Sequence, residues 1–523
     1  MKKTFKIFTA SFLLASVLAS CTGKFEDFNK NPYLPTPEDM IGDGAYIGSL
    51  IKNMQQLLVQ GQQNNSQMID QMIGSEYGGH IANINPWGNQ GNFYTLDPRI
   101  GWKGTAYDTM MPQIYTNFFQ ITEFSGGSGL IYHWAQILRV FGSYRLNEIY
   151  GPIPYSQVKD GEMFVAYDTE KDLFDNMFAD LNEAIDALSL IVASGEDTSV
   201  MAGYDVVFGG DITKWVKFAN TLKLRMAIRI SGVDTTLSKK MAEQAVSHSV
   251  GVMTLASDSA WSSFNDGMNP YYRAEIEWNG GEFRLSANVS SYLGGYNDPR
   301  LAVYAKPGTY KANMGIVGVR NGIYQESGTF ATYQTFSTTN IAETDKLLIM
   351  SAAEAYFLRA EGALKKWNMG DSAKNLYEQG VTLSMEERGV SGAAEYLQST
   401  AKPAAYTDPY KSANSYQAVS KVTPKYDESA NNTENLERIL VQKWIASFPN
   451  GWERWGDYRR TGYPVMFPVV DNKNTDGVNS QKGMRRVPYS ENEKNTNPSN
   501  VATAISYLGG PDTGATNLWW AKK

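Results

Sequence analysis

The sequence predicts a mainly α protein, a tandem scaffold of paired helices whose long irregular loops carry the ligand site. Apolar residues recur at helical spacing behind capping residues over about 36–250 and again over about 345–450. Between them, about 250–345 loses that period and is dominated by Gly, Asn, Ser, Tyr and Trp, reading as a loop-rich ligand lobe. A second aperiodic stretch, Gly74 to Gly104, is rich in Gly, Asn and aromatics. Loops that long are uncommon in compact domains and are often functional.

The N-terminus has its own logic. Lys2, Lys3 and Lys6 precede a short apolar run, Ile7 to Ala19, that ends in Leu18-Ala19-Ser20-Cys21. A membrane span needs roughly 20 apolar residues, so residues 1–20 read as a cleaved signal peptide. The small residues before Cys21 resemble a bacterial lipobox, in which the cysteine becomes the acylated N-terminus. Cys21 is the only cysteine in the chain, so an exported protein has no internal disulfide to form with it. Two or more acyl chains, at about 0.8 kcal/mol per buried methylene, anchor a protein stably. Residues 21–35 are polar and read as a tether, followed by a domain over 36–523.

Thr36, with Pro37 next and Asp39 three residues on, predicts the first helix start. Ile47, Leu50, Ile51, Met54, Leu57 and Leu58 follow at helical spacing. Further helices are expected at about 105–121 and 130–149. Thr169 caps another, with Asp172 completing an acidic capping box and Phe174, Met177, Phe178, Leu181, Ala184, Ile185 and Leu188 forming its stripe. Asp211 or Thr213 opens the next, with Trp215, Phe218, Leu222 and Met226 on one face, and 236–248 follows. Gly315 to Tyr324 reads as strand-like.

The helical pattern resumes at Asp345. Ala353, Tyr356, Phe357, Ala360, Ala363 and Leu364 form one face; Trp367–Gly370 turns; Ala373, Leu376, Tyr377, Gly380, Val381 and Ser384 form a second. Small residues at Ala360, Ala363 and Gly380 let two antiparallel helices approach closely. With Gly370-Asp371, Ala373 and Tyr377 in place, this pair resembles a tetratricopeptide repeat, whose period is about 34 residues. Residues 391–433 read as loop, Glu434 to Ser447 as a last helix, and 450–523 as irregular.

Composition excludes several classes. A net charge of −7 without a long basic run argues against nucleic acid. No zinc-protease, phosphate-loop or nucleophile-elbow motif is present, and no metal or cofactor is expected. His80, His133 and His248 are the three histidines, the last two in predicted helices. The expectation is therefore a binding protein and not an enzyme. Two rivals stand beside it: a glycoside hydrolase, whose two carboxylates leave no sequence signature, and a helical scaffold that holds only proteins.

Several segments carry a family resemblance. Phe25-Glu26-Asp27-Phe28-Asn29-Lys30-Asn31-Pro32 follows the lipobox, and Tyr150-Gly151-Pro152-Ile153-Pro154-Tyr155 follows a helix. Lys214 to Arg225 reads KWVKFANTLKLR, and Asn297-Asp298-Pro299-Arg300-Leu301 is a turn. Gln442-Lys443-Trp444-Ile445-Ala446, Trp455 to Pro464, and Arg485-Arg486-Val487-Pro488-Tyr489 with Glu491 and Asn497 complete the order. In this sequence Ser490 stands where the family pattern has a second proline. Together these resemble the SusD/RagB family of outer-membrane nutrient-binding lipoproteins. The resemblance implies a helical fold built around tetratricopeptide repeats and an outer-membrane location facing the extracellular side. It also implies a TonB-dependent transporter of the SusC/RagA type as partner, and a glycan or, less often, a peptide as ligand. The motif residues themselves read as structural: Trp215, Phe218, Asn220 and Arg225 as core and ion pairs, Asp298 with Arg300 as a local pair, and Arg459 and Arg460 with Glu453 and Asp457 as a charge network.

For the ligand site, local composition points to an aromatic platform drawn from about 74–104 and 260–300. Sugar rings present C–H faces that lie on Tyr or Trp, while their hydroxyls need amides at the edge. Trp87 sits among Asn85, Pro86, Gly88, Asn89 and Gln90. Trp261, Tyr271, Tyr272, Trp278 and Tyr296 sit among Asn265, Asp266, Asn269, Asn279 and Asn297. These six rings are the candidate ligand contacts.

Overall fold

The computed structural model describes residues 44–522, except positions 90, 163, 265, 266, 325 and 327. Cys21, the tether and the predicted cap at Thr36 lie outside the described residues. The chain divides into two units, 1–49 and 50–523. Helix α1, Ala45–Gln55, begins in the first.

Helices dominate. The long ones are α2 (Thr105–Ser125), α3 (Gly129–Tyr150), α4 (Glu170–Ser194), α5 (Ile212–Arg229) and α6 (Thr235–Ser247). After the central lobe come α7 (Ala287–Tyr296), α8 (Ala352–Leu364), α9 (Ala373–Glu386), α10 (Asn432–Ala446), α11 (Trp452–Thr461) and α12 (Pro498–Leu508). Consecutive helices turn back on one another, so α2 packs on α3, α3 on α4, α5 on α6 and α8 on α9. This is the repeat-like helical scaffold that the periodicity predicts. The caps act as their residue types require: the side chain of Thr169 accepts from the Asp172 amide, and Asp211, not Thr213, accepts from the Lys214 amide. The α4 stripe is fully buried from Phe174 to Leu188. Gly380 lets α9 meet α8, since a Cβ there would lie 2.8 Å from the Phe357 ring.

Three expectations are corrected. Asp345 does not open a helix; strand β4, Leu347–Met350, comes first and pairs antiparallel with β2, Ala260–Ser262. Gly315 to Tyr324 contributes only an isolated bridge, Val319 to Ser286, and no strand. The chain past 450 is not all irregular, because α11 and α12 lie there. The buried face of α11 is largely charged, with Glu453, Arg454, Asp457, Arg459 and Arg460 all buried, so it lacks the apolar stripe that would have revealed it.

That core is unusually ionic. Arg225 on α5 pairs with Glu354 on α8 at 2.7 Å, and Arg229 pairs with Glu148 on α3 at 2.7 Å and with Glu453 on α11 at 2.9 Å. Lys443 on α10 reaches Asp457 at 3.0 Å, and Arg460 reaches both Glu361 at 2.6 Å and Asp457 at 3.1 Å. The three cations around Asp457 hold its carboxyl well below the usual carboxylate range. Arg459 departs from the expected network: it donates to the backbone oxygens of Trp455 and Arg485 at 3.1 and 3.0 Å, and lies on the Trp455 ring. Asp298 and Arg300 form the expected local pair at 2.6 Å, fully buried.

Candidate functional site: an aromatic shelf

Two three-residue strands bring the irregular segments together. β1, Ile81–Asn83, pairs antiparallel with β3, Phe283–Leu285, in the register Ile81 to Leu285 and Asn83 to Phe283. The chain leaving β1 and the chain entering β3 therefore share one end of the ribbon. Glu282 joins them. Its carboxylate accepts from Asn85 Nδ2 at 2.7 Å, from Asn279 Nδ2 at 2.5 Å and from the Gln67 amide. Buried acceptors of this kind are charge-assisted and fix both segments.

Trp87 and Trp278 stand at this junction, each half-buried, beside exposed Gly88, Asn279 and Gly280. Trp87 meets Trp102 edge to face at 5.5 Å and Phe283 at 6.5 Å. Arg99 covers the Trp102 ring at 4.7 Å and donates to the Trp87 carbonyl. The Trp87 amide donates to Asn85 Oδ1 at 3.0 Å. On the facing segment, Gln334 Nε2 donates to the Asn279 carbonyl at 2.5 Å.

The backbone is held in an unfavourable state at this place. Trp87 has φ +39° and Asn279 φ +53°, both left-handed. Asn tolerates that region, but a bulky residue there is an outlier costing about 1–3 kcal/mol. Such strain persists only where surrounding contacts impose it, here Asn85, Arg99 and Trp102. The two segments thus place the half-buried indoles of Trp87 and Trp278 at one end of the ribbon beside side-chain amides, a surface termed the shelf.

The six candidate rings divide. Trp87 and Trp278 lie on the shelf. Tyr272 is half-buried on the turn Pro270–Tyr272, capped by Asn269. Tyr271 and Tyr296 are not surface rings. Tyr271 is 1 % exposed, its hydroxyl set between Ser75 Oγ and the Asp70 carbonyl, and burial pushes that hydroxyl well above its usual pKa. Tyr296 is 2 % exposed and donates to the Val422 carbonyl at 3.0 Å. Trp261 belongs to the other ribbon, on β2, under the guanidinium of Arg388 at 4.8 Å. Asn265, Asp266 and Gln90, offered as polar neighbours, lie outside the described residues. Sequence reasoning did not single out Trp102, Arg99 or Gln334; the Arg99/Trp102 spacing of one short helical turn, Ile100–Lys103, was the available signal.

His80 is a core group. Its Nε2 faces the Trp444 carbonyl at 3.0 Å, its ring stacks on Trp444 at 5.3 Å, and burial pushes it down to about 3. Burial also pushes Glu76 up to about 8 and Glu275 up to about 7. Glu76 accepts from the Asn83 amide at 2.6 Å and Asn321 Nδ2 at 2.9 Å; Glu275 accepts from Gln71 at 3.1 Å and from Thr339. Both carboxyls are buried and held by these hydrogen bonds, and Glu76 also borders a small cavity. Among the described residues no cluster of His, Cys, Asp and Glu has metal-binding geometry, and no helix is long and apolar enough to cross a membrane.

Comparison with known proteins places this architecture. The family model SusD-like, "Susd and RagB outer membrane lipoprotein", matches residues 27–521. A SusD-like protein from Bacteroides thetaiotaomicron is 39% identical with a TM-score of 0.87, covering 91% of this chain and 99% of its own. A chitin-binding SusD homologue from Flavobacterium johnsoniae is 36% identical with a TM-score of 0.87 and the same coverage, 91% and 99%. A SusD homologue from Bacteroides uniformis is 36% identical with a TM-score of 0.85, again covering 91% and 99%. The comparison with curated proteins gave no match. The chain belongs to the SusD/RagB family of outer-membrane lipoproteins.

Proposed function

We propose that this protein captures a glycan on the Trp87/Trp278 shelf and passes it to a TonB-dependent outer-membrane transporter of the SusC/RagA type, anchored at the cell surface by acylated Cys21. The observation that carries this reading is the convergence of two aromatic, amide-rich segments at Glu282, with Trp87 held in a strained backbone state beside Trp102. An open shelf of ring faces suits a polymer that extends beyond the site, as a glycan does. The chitin-binding relative adds support for a saccharide over a peptide. The buried, amide-caged carboxyls favour binding over hydrolysis, because glycoside cleavage needs two carboxylates flanking an accessible bond, within about 10 Å of each other.

A glycan array with the full-length lipoprotein in detergent tests the ligand class. Binding to at least one oligosaccharide family is expected, and binding only to peptides would contradict the reading. Purification from mild detergent should bring a large barrel with it. Recovery of the lipoprotein alone would count against the transporter.

A further inference from the structure

A second site is built around Arg388. A cavity of about 450 Å³ is lined by Trp261, Tyr304, Asn340, Lys346, Arg388 and Pro449, among others. That size lies within the roughly 300–1,000 Å³ of small-ligand sites. The Arg388 guanidinium carbon lies 4.8 Å from the Trp261 ring centre and 5.1 Å from that of Tyr304. One Nη donates to the Phe448 carbonyl, while Nε is enclosed and has no partner. No carboxylate answers this cation. Its neighbour Glu387 is occupied by the hydroxyls of Ser259 and Ser351, both at 2.6 Å, and by the Ala353 amide at 3.1 Å. Asp345 on the rim accepts from the Ala342 amide at 2.8 Å. Lys346, also on the rim, is exposed and forms no ion pair among the described residues. Most cations of the helical core have a carboxylate partner; Arg388 and Lys346 have none among the described residues, and both line this cavity.

We propose that this cavity binds the carboxylate of an acidic sugar, a uronic-acid unit whose ring packs against Trp261 and Pro449 while Arg388 and Lys346 hold its carboxylate. Stacked guanidinium favours planar, forked recognition of a carboxylate, and the rings keep it in place through cation–π attraction. Asn340 Nδ2 is engaged with the Val303 carbonyl at 3.2 Å, so its carbonyl oxygen is the group left for a sugar hydroxyl. The choice of a sugar over a peptide C-terminus rests on the glycan reading above; the choice of a carboxylate does not.

The test is calorimetry on the full-length lipoprotein in detergent with glucuronate, galacturonate and mannuronate oligosaccharides, their neutral counterparts, and acetyl-diglycine. At least one uronate should bind, with affinity falling as salt rises. Arg388→Gln and Lys346→Gln should each weaken it at least tenfold. Lys346 is exposed, so its variant decides the matter if Arg388→Gln fails to fold. No binding by any uronate, equal binding of acidic and neutral forms, unchanged affinity in folded variants, or equal displacement by acetyl-diglycine would overturn the proposal. Loss of neutral-glycan binding in Trp87→Ala, read in the same series, reports on the shelf separately.

Discussion

Asn85 and Asn279, nearly two hundred residues apart in sequence, donate to the same carboxylate oxygen of Glu282, at 2.7 and 2.5 Å. This shared acceptor joins the two aromatic segments. Glu282→Ala should leave both amides without their acceptor and release the segments. The expected cost in stability is about 1–3 kcal/mol, the penalty for stranding the buried amides of Asn85 and Gln67, since exposed Asn279 can turn to water. Glycan affinity should fall in parallel although Glu282 touches no ligand, and Glu282→Gln should restore part of both. Denaturant titration beside ligand calorimetry checks the pair of effects.

The ionic core makes a prediction about stability alone. Asp457 is surrounded by Lys443, Arg229 and Arg460. Asp457→Asn removes one carboxylate shared by Lys443, Arg229 and Arg460, each of which keeps another carboxylate partner, and should cost about 1–3 kcal/mol. Because its folded pKa is depressed, the carboxyl contributes stability fully above its unfolded pKa, and that contribution is lost as pH falls below the usual carboxylate range. The variant should therefore lose less stability on acidification than the wild type, measured by thermal melts from pH 7 to pH 3. Binding at the shelf, assayed at pH 7 on the folded fraction, should not change.

His80 predicts a second pH effect in a higher window. Its folded pKa is about 3 against an ordinary 6.5, so the folded protein holds it neutral while the unfolded chain takes up a proton. Stability from this group is full above about 6.5 and falls as pH drops toward 3, by up to about 1.4 kcal/mol per unit. His80→Phe keeps a ring beside Trp444 and removes the titration. Its melting temperature should change less between pH 7 and pH 5 than that of the wild type, and parallel curves would sink the assignment.

The helical framework was legible because helices announce themselves locally. Thr169 and Asp211 cap where their side chains reach the next turn's amides, and the α4 stripe repeats over several turns. The ribbon that builds the shelf was not legible. β1 and β3 are three residues long and buried on both faces, so they show no alternation. Composition found the two aromatic segments but could not sort their rings. Tyr271 and Tyr272 are adjacent with similar neighbours, yet one turn of helix sends the first into the core beneath Ser75 and leaves the second at the edge. Trp261, on β2 of the other ribbon, lies under Arg388, which follows α9; its place is set by long-range pairing with β4.

That sorting is testable. Tyr271→Phe and Tyr296→Phe each remove a buried hydroxyl and strand the carbonyl that accepts from it, Asp70 in one case and Val422 in the other. Each should cost about 1 kcal/mol of stability and leave ligand affinity unaltered. Reduced affinity in either folded variant would place its ring in the site after all.

The most direct measurement is calorimetric titration of an array-selected glycan into the wild type, Trp87→Ala and Trp278→Ala, with circular dichroism to verify folding. If the shelf is the binding surface, each substitution should remove roughly 2 kcal/mol or more of binding free energy, as interface anchors do, while the fold persists. Folded variants that bind with wild-type affinity would contradict the account and move the site elsewhere.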